Sequence, residues 1–424
     1  MFRKNIHSSN SRQHPSLKVL AYAVLLIFNL QFSIFNLTAC SPEPPLHLYD
    51  AQELEFKQPI IDLDLKVYWN YDSELGLDYD WQSEWYYGWD EEDRRLWGEL
   101  GYTTPTIFNL RRYYTGEDPH ASHTGVIANT VEGDHFSGRY DWGFWDLLVW
   151  NRIVTLDGVQ SLIFDEQTSL DSVTAFTNPS MHPSRYNAPR YSHAFYAPEP
   201  LFAAYEEDIE VNSNLDGFNY DPVRDVYYRE LQMVLRPITY IYLTQIILHN
   251  NKGRIAAIDG ASNLSGMGRT TNLNTGQAGN DAVSVYYGVR MKRDTPLVPY
   301  SMTAGEKAGS QEAKEAVEKA ERVDIVGGRL MTFGICGQKA NDISRASEVN
   351  DRNRHYLDVS MQFNNGVDSL FAFDVTDQVR RRYKGGVITV ELDLDTVPIP
   401  SRRGGSGFNA VVLEPDTVTH IIEM

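Results

Sequence analysis

Hydrophobic and polar positions alternate strictly from Ile61 onward: Ile61, Leu63, Leu65, Val67 and Trp69 share one face, and Asp62, Asp64, Lys66 and Tyr68 the other. A period of two predicts a strand with one buried and one wet side. The same pattern returns over Val283–Lys292, Leu357–Phe363 and Ser369–Val375, and Asn364-Asn365-Gly366 joins the last two as a predicted hairpin. Further strands are predicted over Thr106–Tyr114, Gly125–Asn129, Asp146–Asn151, Ser172–Phe176 and Ile388–Leu394. Turn formers punctuate them at Gly116-Glu117-Asp118-Pro119, Glu132-Gly133-Asp134 and Asp157-Gly158. Tyr228–His249 reads as a long β-rich stretch interrupted by Pro237. Only Gln311–Arg322, "QEAKEAVEKAER", is composed like a helix, and it is polar almost all round, as a surface excursion would be. Many short strands, few helices and no βαβ spacing predict an all-β chain of antiparallel sandwiches.

Length divides this pattern. At 424 residues the chain exceeds one ordinary core and suits two sandwich domains, expected over 59–200 and 201–424, with the Pro- and aromatic-rich passage Asn178–Pro200 leading up to the boundary. The balance of 42% hydrophobic and 22% charged residues is that of a folded chain. The net charge of −19 argues against a nucleic-acid backbone as partner, because Arg380-Arg381-Arg382 and Arg402-Arg403 are too short to offset it. With only Cys40 and Cys336, no disulfide framework is available, and Cys336 is expected as a buried strand residue.

The amino terminus has a different grammar. Arg3, Lys4, Arg12 and Lys18 precede the apolar run Val19–Phe35, and no acid appears before Glu43, which is the layout of a secretory signal. The run is interrupted by Asn29, Gln31 and Ser33 and is marginal for a permanent span. Leu37-Thr38-Ala39-Cys40 resembles the lipobox of bacterial lipoproteins. That resemblance implies a signal peptide over 1–39, cleavage between Ala39 and Cys40, and a diacylglycerol and an N-acyl chain on Cys40, two attachments being enough for firm anchoring. Residues 40–58, with prolines at 42, 44 and 45, read as a tether. Removing residues 1–39 would take away four basic residues and no acid, leaving the mature chain more negative still.

Candidate chemistry is sparse. No phosphate-cradling glycine loop, G-x-S-x-G elbow, H-E-x-x-H or C-x-x-C is present. His120 and His123, near Glu117 and Asp118, could share zinc but sit where a polar turn is expected. Asn212, Asn214 and Asp216, followed by Gly217, open like a calcium loop, yet the twelfth position is Val223 and Asx-turn chemistry explains the same residues. No cofactor is expected beyond the lipid. The chain holds 25 Tyr, 18 Phe and 8 Trp, and the densest aromatic cluster lies over 68–97. Trp81, Trp85, Tyr86, Tyr87 and Trp89 could stack on sugar rings or anchor a partner, or they could pack back onto their own domain.

Four segments carry a resemblance: "GRYDWGFWDLLVWN" (Gly138–Asn151), "HNNKGRIAAIDGASNLSGM" (His249–Met267), "MTFGICG" (Met331–Gly337) and "FAFDVTDQV" (Phe371–Val379). In this order they resemble fimbrillin-like lipoproteins of Bacteroidota, related to FimA/Mfa-type pilus subunits and anchors. The resemblance implies two tandem transthyretin-like or Ig-like β-sandwiches on a lipid anchor at the outer membrane, working in adhesion or pilus assembly by binding. Stalk subunits of that kind lose their first strand to a protease and accept a neighbour's strand. Here Lys57 and Lys66 are the only basic residues between Cys40 and Arg94, which departs from that pattern and favours a retained anchor or accessory subunit. Ser41-Pro42-Glu43 offers a single acid after the cysteine, so the surface and periplasmic faces of the membrane both stay open. The partners implied are membrane lipid and other fimbrillin-like subunits or glycans. A glycan-binding lipoprotein using residues 68–97 is the alternative reading, and an envelope glycoside hydrolase the second alternative.

Overall fold

In the computed structural model, which describes residues 58–68, 75–120, 125–153, 161–166, 170–183, 193–304, 307–337, 354–400, 409–412 and 421–422, strands dominate. In chain order they are Ile60–Val67 (β1), Ile107–Gly116 (β2), Gly125–Glu132 (β3), His135–Arg139 (β4), Gly143–Asn151 (β5), Leu162–Asp165 (β6), Thr174–Thr177 (β7), Pro179–Pro183 (β8), His193–Tyr196 (β9), Phe202–Val211 (β10), Asn219–Asp221 (β11) and Val226–Pro237 (β12). There follow Tyr240–His249 (β13), Ile255–Gly268 (β14), Thr270–Asn272 (β15), Ala282–Gly288 (β16), Arg290–Pro296 (β17), Arg322–Thr332 (β18), Tyr356–Phe363 (β19), Asp368–Asp374 (β20), Gly386–Asp393 (β21), Asn409–Val412 (β22) and Ile421–Ile422 (β23). Three helices matter below: Glu91–Trp97 (α1), Gln311–Lys319 (α2) and Thr376–Arg381 (α3). No helix among the described residues is long and apolar enough to cross a membrane.

The first sheet runs β3-β2-β5-β10-β12-β1-β4, with β11 paired to β12. The β10–β12 seam is held only through Phe202↔Pro237 and Ala203↔Arg236, and the two halves face one another across a shared core. Ile61, Leu63 and Leu65 of β1 meet Phe108, Leu110, Trp145, Leu147 and Val149 of β2 and β5 there. The alternation that predicted β1 is thus the alternation of one inner face. β1 lies inside the sheet, parallel to β12 from Ile60↔Tyr228 to Val67↔Leu235 and antiparallel to β4 on its other side.

A second sandwich sets the sheet β17-β18-β13-β21 against β23-β22-β20-β19-β14-β16-β9-β8. Tyr242, Ile246, Val326, Leu330, Ile388 and Val390 from the smaller sheet pack on Leu264, Val285, Leu357, Met361, Phe371 and Phe373 from the larger. The smaller sheet is covered on its other face as well: Ile241, Leu243, Ile247, Ile325 and Val387 take Leu75, Leu77, Trp81, Trp85, Tyr87 and Trp89. Burial on both faces is why Tyr240–His249 reads as a continuous apolar run without alternation. β5 behaves likewise, with Leu147 and Val149 in the first core and Leu148 and Trp150 under a small sheet ordered β15-β7-β6.

The all-β sandwich architecture stands, with two corrections. The sheets are mixed, since β1·β12, β13·β21, β16·β9 and β20·β22 are parallel pairs between strands far apart in sequence. Long connections permit parallel pairing where short hairpin loops do not. Residue 200 also does not separate the two sandwiches. Phe202–Val211 and Val226–Pro237 pair into the first sheet, residues 75–100 cover the second, and Gln58–Met424 forms one compact unit. The signal segment 1–39 lies outside the described residues, as does the tether 40–58 apart from Gln58.

Candidate functional site

The aromatic cluster faces inward. Trp81, Trp85, Tyr87 and Trp89 are buried against the smaller sheet of the second sandwich, and only Tyr86 is half-exposed. No sugar can stack on rings already covered by Ile241, Leu243 and Ile325, so the contact surface expected of these side chains is a core. The Trp85 indole N–H donates to Gly88 O (3.2 Å) and that of Trp89 to Gly98 O (3.1 Å). Gln245, fully buried on β13, fastens the segment: its Oε1 accepts from the backbone N–H of Tyr86 (2.8 Å) and Tyr87 (3.2 Å), and its Nε2 donates to Glu84 O (2.7 Å) and Thr389 Oγ1 (2.8 Å). Tyr87 lies flat on Gly327, where an added Cβ would sit 2.4 Å from the ring. Only glycine permits this approach within β18.

Beside it α1 starts with a capping box at Asp90 and Asp93. Asp93 is fully buried, accepts from the Tyr87 hydroxyl (2.8 Å) and pairs with Lys292 (2.7 Å) and Arg290 (2.9 Å). Burial pushes the Tyr87 phenol well above its ordinary value, reinforced by Asp93. Burial alone would raise the Asp90 carboxyl, but bonds from Asp93 N–H, Arg290 and Lys292 outweigh it and hold the group below the usual carboxylate range. This knot ties α1 to β17 and leaves none of its charges idle.

The other sequence candidates resolve locally. Asn212 Oδ1 accepts from Asp216 N–H (3.0 Å) and Asn212 Nδ2 donates to Asp216 Oδ2 (3.0 Å), so these two side chains spend their polar groups on a local loop, while Asn214 is exposed. The backbone N–H of His120 donates to Asp118 Oδ1 (2.9 Å), as a polar turn does, and His123 lies outside the described residues. Cys336 is half-buried in a turn, not in a strand, because the ladder of β18 ends at Thr332. Burial, with Asp281 nearby, pushes its thiol up to about 11. Ala39 and Cys40 lie outside the described residues.

What the sequence did not announce is the outer edge of β21. On one side β21 pairs with β13; on the other, side chains occupy the place of a strand. Val387 N–H donates to the Tyr79 hydroxyl (2.8 Å). Thr389 N–H donates to Gln378 Oε1 (2.9 Å), and Gln378 Nε2 donates back to Thr389 O (2.8 Å). One carboxamide on α3 thus reproduces the two-bond exchange of an antiparallel pair. By the same alternation Glu391 is the next residue to face outward. Along this edge runs an open groove of about 530 Å³, walled by Glu84, Tyr86, Gln378, Arg382, Thr389 and Glu391. Arg382 closes one end, its guanidinium 3.5 Å from the Tyr79 ring centre and 2.7 Å from Glu84 Oε1. Gly385, at φ +95°, turns the chain into β21, and any Cβ there would meet Ile241 O at 2.3 Å.

No family model matches the chain, and no curated protein matches it. Among solved structures it is similar to a protein described as a putative adhesin from Bacteroides ovatus ATCC 8483, at 11% identity over 82% of this chain and 94% of that one, with a TM-score of 0.46. It is also similar to one so described from Bacteroides thetaiotaomicron VPI-5482, at 9% identity over 80% and 93%, TM-score 0.40. A third is the fimbrial anchor protein Mfa2 from Porphyromonas gingivalis, at 10% identity over 79% and 90%, TM-score 0.35.

Proposed function

We propose that this chain is a lipid-anchored protein of the cell envelope that acts by binding, as a retained anchor or accessory subunit in adhesion or fimbria assembly, and not by catalysis. The observation that carries the reading is the β21 edge, an open groove beside backbone groups satisfied by one carboxamide and one phenol. A sheet edge of this kind accepts an extended segment as an added strand, with main-chain bonds supplying affinity and flanking pockets supplying register. Gln378 and Tyr79 keep the edge satisfied until such a strand replaces them. The resemblance of the four quoted segments to fimbrillin-like lipoproteins points the same way, and Cys40 after its signal-like run gives the anchor.

Retention of the first strand has its own support. Ile61, Leu63 and Leu65 are buried, β1 is bonded on both sides, and the chain after it is pinned by Gln245 and the buried tryptophans. Arg94 and Arg95, the first basic pair after Lys66, are within α1 and not in an open loop. The test is photo-cross-linking in the native envelope. A benzophenone side chain replacing Glu391 should capture another envelope protein, and one replacing exposed Val223 on the β11–β12 turn should not. A chain that captures nothing from Glu391, or equally much from both positions, would sink the reading.

A further inference from the structure

A second cavity of about 530 Å³ shares Arg381 and Arg382 with the β21 groove. It lies where the end of the first sandwich, Tyr68 and Arg236-Pro237, meets Tyr240 and the Arg381–Gly385 turn of the second. Its volume falls within the range of small-ligand sites, and a junction between sandwiches is where such sites form. Its lining is unusual for this molecule. In a chain of net charge −19, the cavity gathers Arg236, Arg381, Arg382 and Lys384 against a single carboxylate, Asp78. Arg382 is engaged by Glu84, whereas Arg236, Arg381 and Lys384 have no carboxylate within ion-pair distance among the described residues and are exposed.

Aromatic rings are the other half of the lining. Tyr68, Tyr79, Tyr102, Tyr240 and Tyr383 all contribute. Arg236 stands over the Tyr68 ring at 5.4 Å and Lys384 over the Tyr383 ring at 5.6 Å, so charge and ring face the same space. Tyr102 and Tyr79 have committed hydroxyls, to Thr239 O and Val387 N–H. Burial, with Tyr383 nearby, raises the Tyr240 phenol above its ordinary value, so at neutral pH it is a donor. A bare inorganic anion would leave the ring faces unused, and a neutral sugar would leave three cations unmatched. A pyranose with an anionic substituent uses both: the charge meets the cations, the apolar ring face meets tyrosine, and a hydroxyl can donate to Asp78.

We propose that this pocket binds an acidic sugar, a pyranose unit carrying a carboxylate or a phosphate, with Arg236, Arg381 and Lys384 meeting the charge and the tyrosine rings meeting the ring face. The glycan surface is therefore not the tryptophan segment but the tyrosine pocket at its foot. Arg381 and Arg382 line both cavities, whereas Arg236 and Lys384 do not touch the β21 groove, so variants at those two positions test this site apart from that edge.

Isothermal titration of the detergent-solubilised full chain with trigalacturonate, glucose 6-phosphate and neutral galactotriose tests it. At least one acidic ligand is expected to bind at least about tenfold more tightly than galactotriose. The affinity should fall on raising NaCl from about 50 to about 500 mM. The double variant Arg236→Gln, Lys384→Gln should lose about tenfold or more with an unchanged melting temperature, both side chains being exposed. Binding of trigalacturonate alone assigns the carboxylate, and of glucose 6-phosphate alone the phosphate. Equal binding of the neutral trimer, unaltered affinity in the double variant, or no heat from either acidic ligand at about 10 mM would each overturn the proposal.

Discussion

Gln245 shows how much one side chain can settle. It sits in mid-strand, with no exposure, and all four of its bonds go to the segment in front of the sheet or to β21. Gln245→Leu keeps the volume but strands two backbone donors and a carbonyl, and should cost about 3 kcal/mol in urea denaturation. Trp85→Ala removes a fully buried ring and should cost about 4 kcal/mol in the same assay, without weakening acidic-sugar binding. His355 supplies a pH effect. It is fully buried, its Nδ1 lies 3.0 Å from Ser265 O, and burial pulls its pKa down to about 4. As pH falls below the ordinary histidine value the unfolded chain takes up a proton that the folded one refuses until about 4. The unfolded state then binds more protons, so stability falls with pH between about 6.5 and about 4, by up to roughly 3 kcal/mol. Denaturation midpoints between pH 7 and 5, above most carboxylate titrations, should show this slope in the wild type and a flatter one in His355→Asn. The sequence marked the tryptophans as important but could not say which way they face, because composition is the same for a stacking platform and a core.

At the level of elements, legibility followed the number of buried faces. β1, and the β19–β20 hairpin around Asn364-Asn365-Gly366, have a wet side to reveal their period, and both appear where alternation predicts them. β13 and β5 are covered on both sides and lose the period, though their apolar runs still mark them as strands. β18 is hard to read from the sequence because Gly327-Gly328 lowers its strand propensity; those glycines admit Tyr87 and the Gly288 carbonyl. α1 carries a readable signature: Asp90, then acids at Glu91–Asp93, then Arg94-Arg95, matching the helix dipole. The Gln378 clasp left no trace in the sequence, since its partner Thr389 is defined only by the fold. Gln378→Ala should uncover Thr389 N–H and O, and size-exclusion chromatography should then show concentration-dependent self-association. A strictly monomeric variant would mean that the edge is blocked by something other than the carboxamide.

Across the whole molecule, the mixed sheets explain why a two-part reading of the chain misplaced the boundary. Segments exchange sides: β10 and β12 return to the first sandwich from beyond residue 200, and residues 75–100 leave it for the second. Local pattern cannot show such exchange, because pairing between distant strands is a property of topology. The proposed anchor belongs to this scale too. Cys40→Ala should move the protein from the membrane fraction to the soluble fraction, while the folded part keeps its melting temperature; continued retention would remove the lipid from the account.

The placement of β1 carries a mechanical consequence. If tension reaches the protein through a lipid-held tether, it enters at the amino-terminal end of β1, just before Gln58. Force directed along that strand, against a load borne by the second sandwich, pulls β1 lengthwise between β12 and β4. Eight paired positions on one flank and five on the other then resist together, in shear, and do not open singly like a zipper. Pulling from the same point across the strand would peel them one at a time. The pairing of β1 on both flanks therefore makes the fold stronger against force along that strand than against force across it.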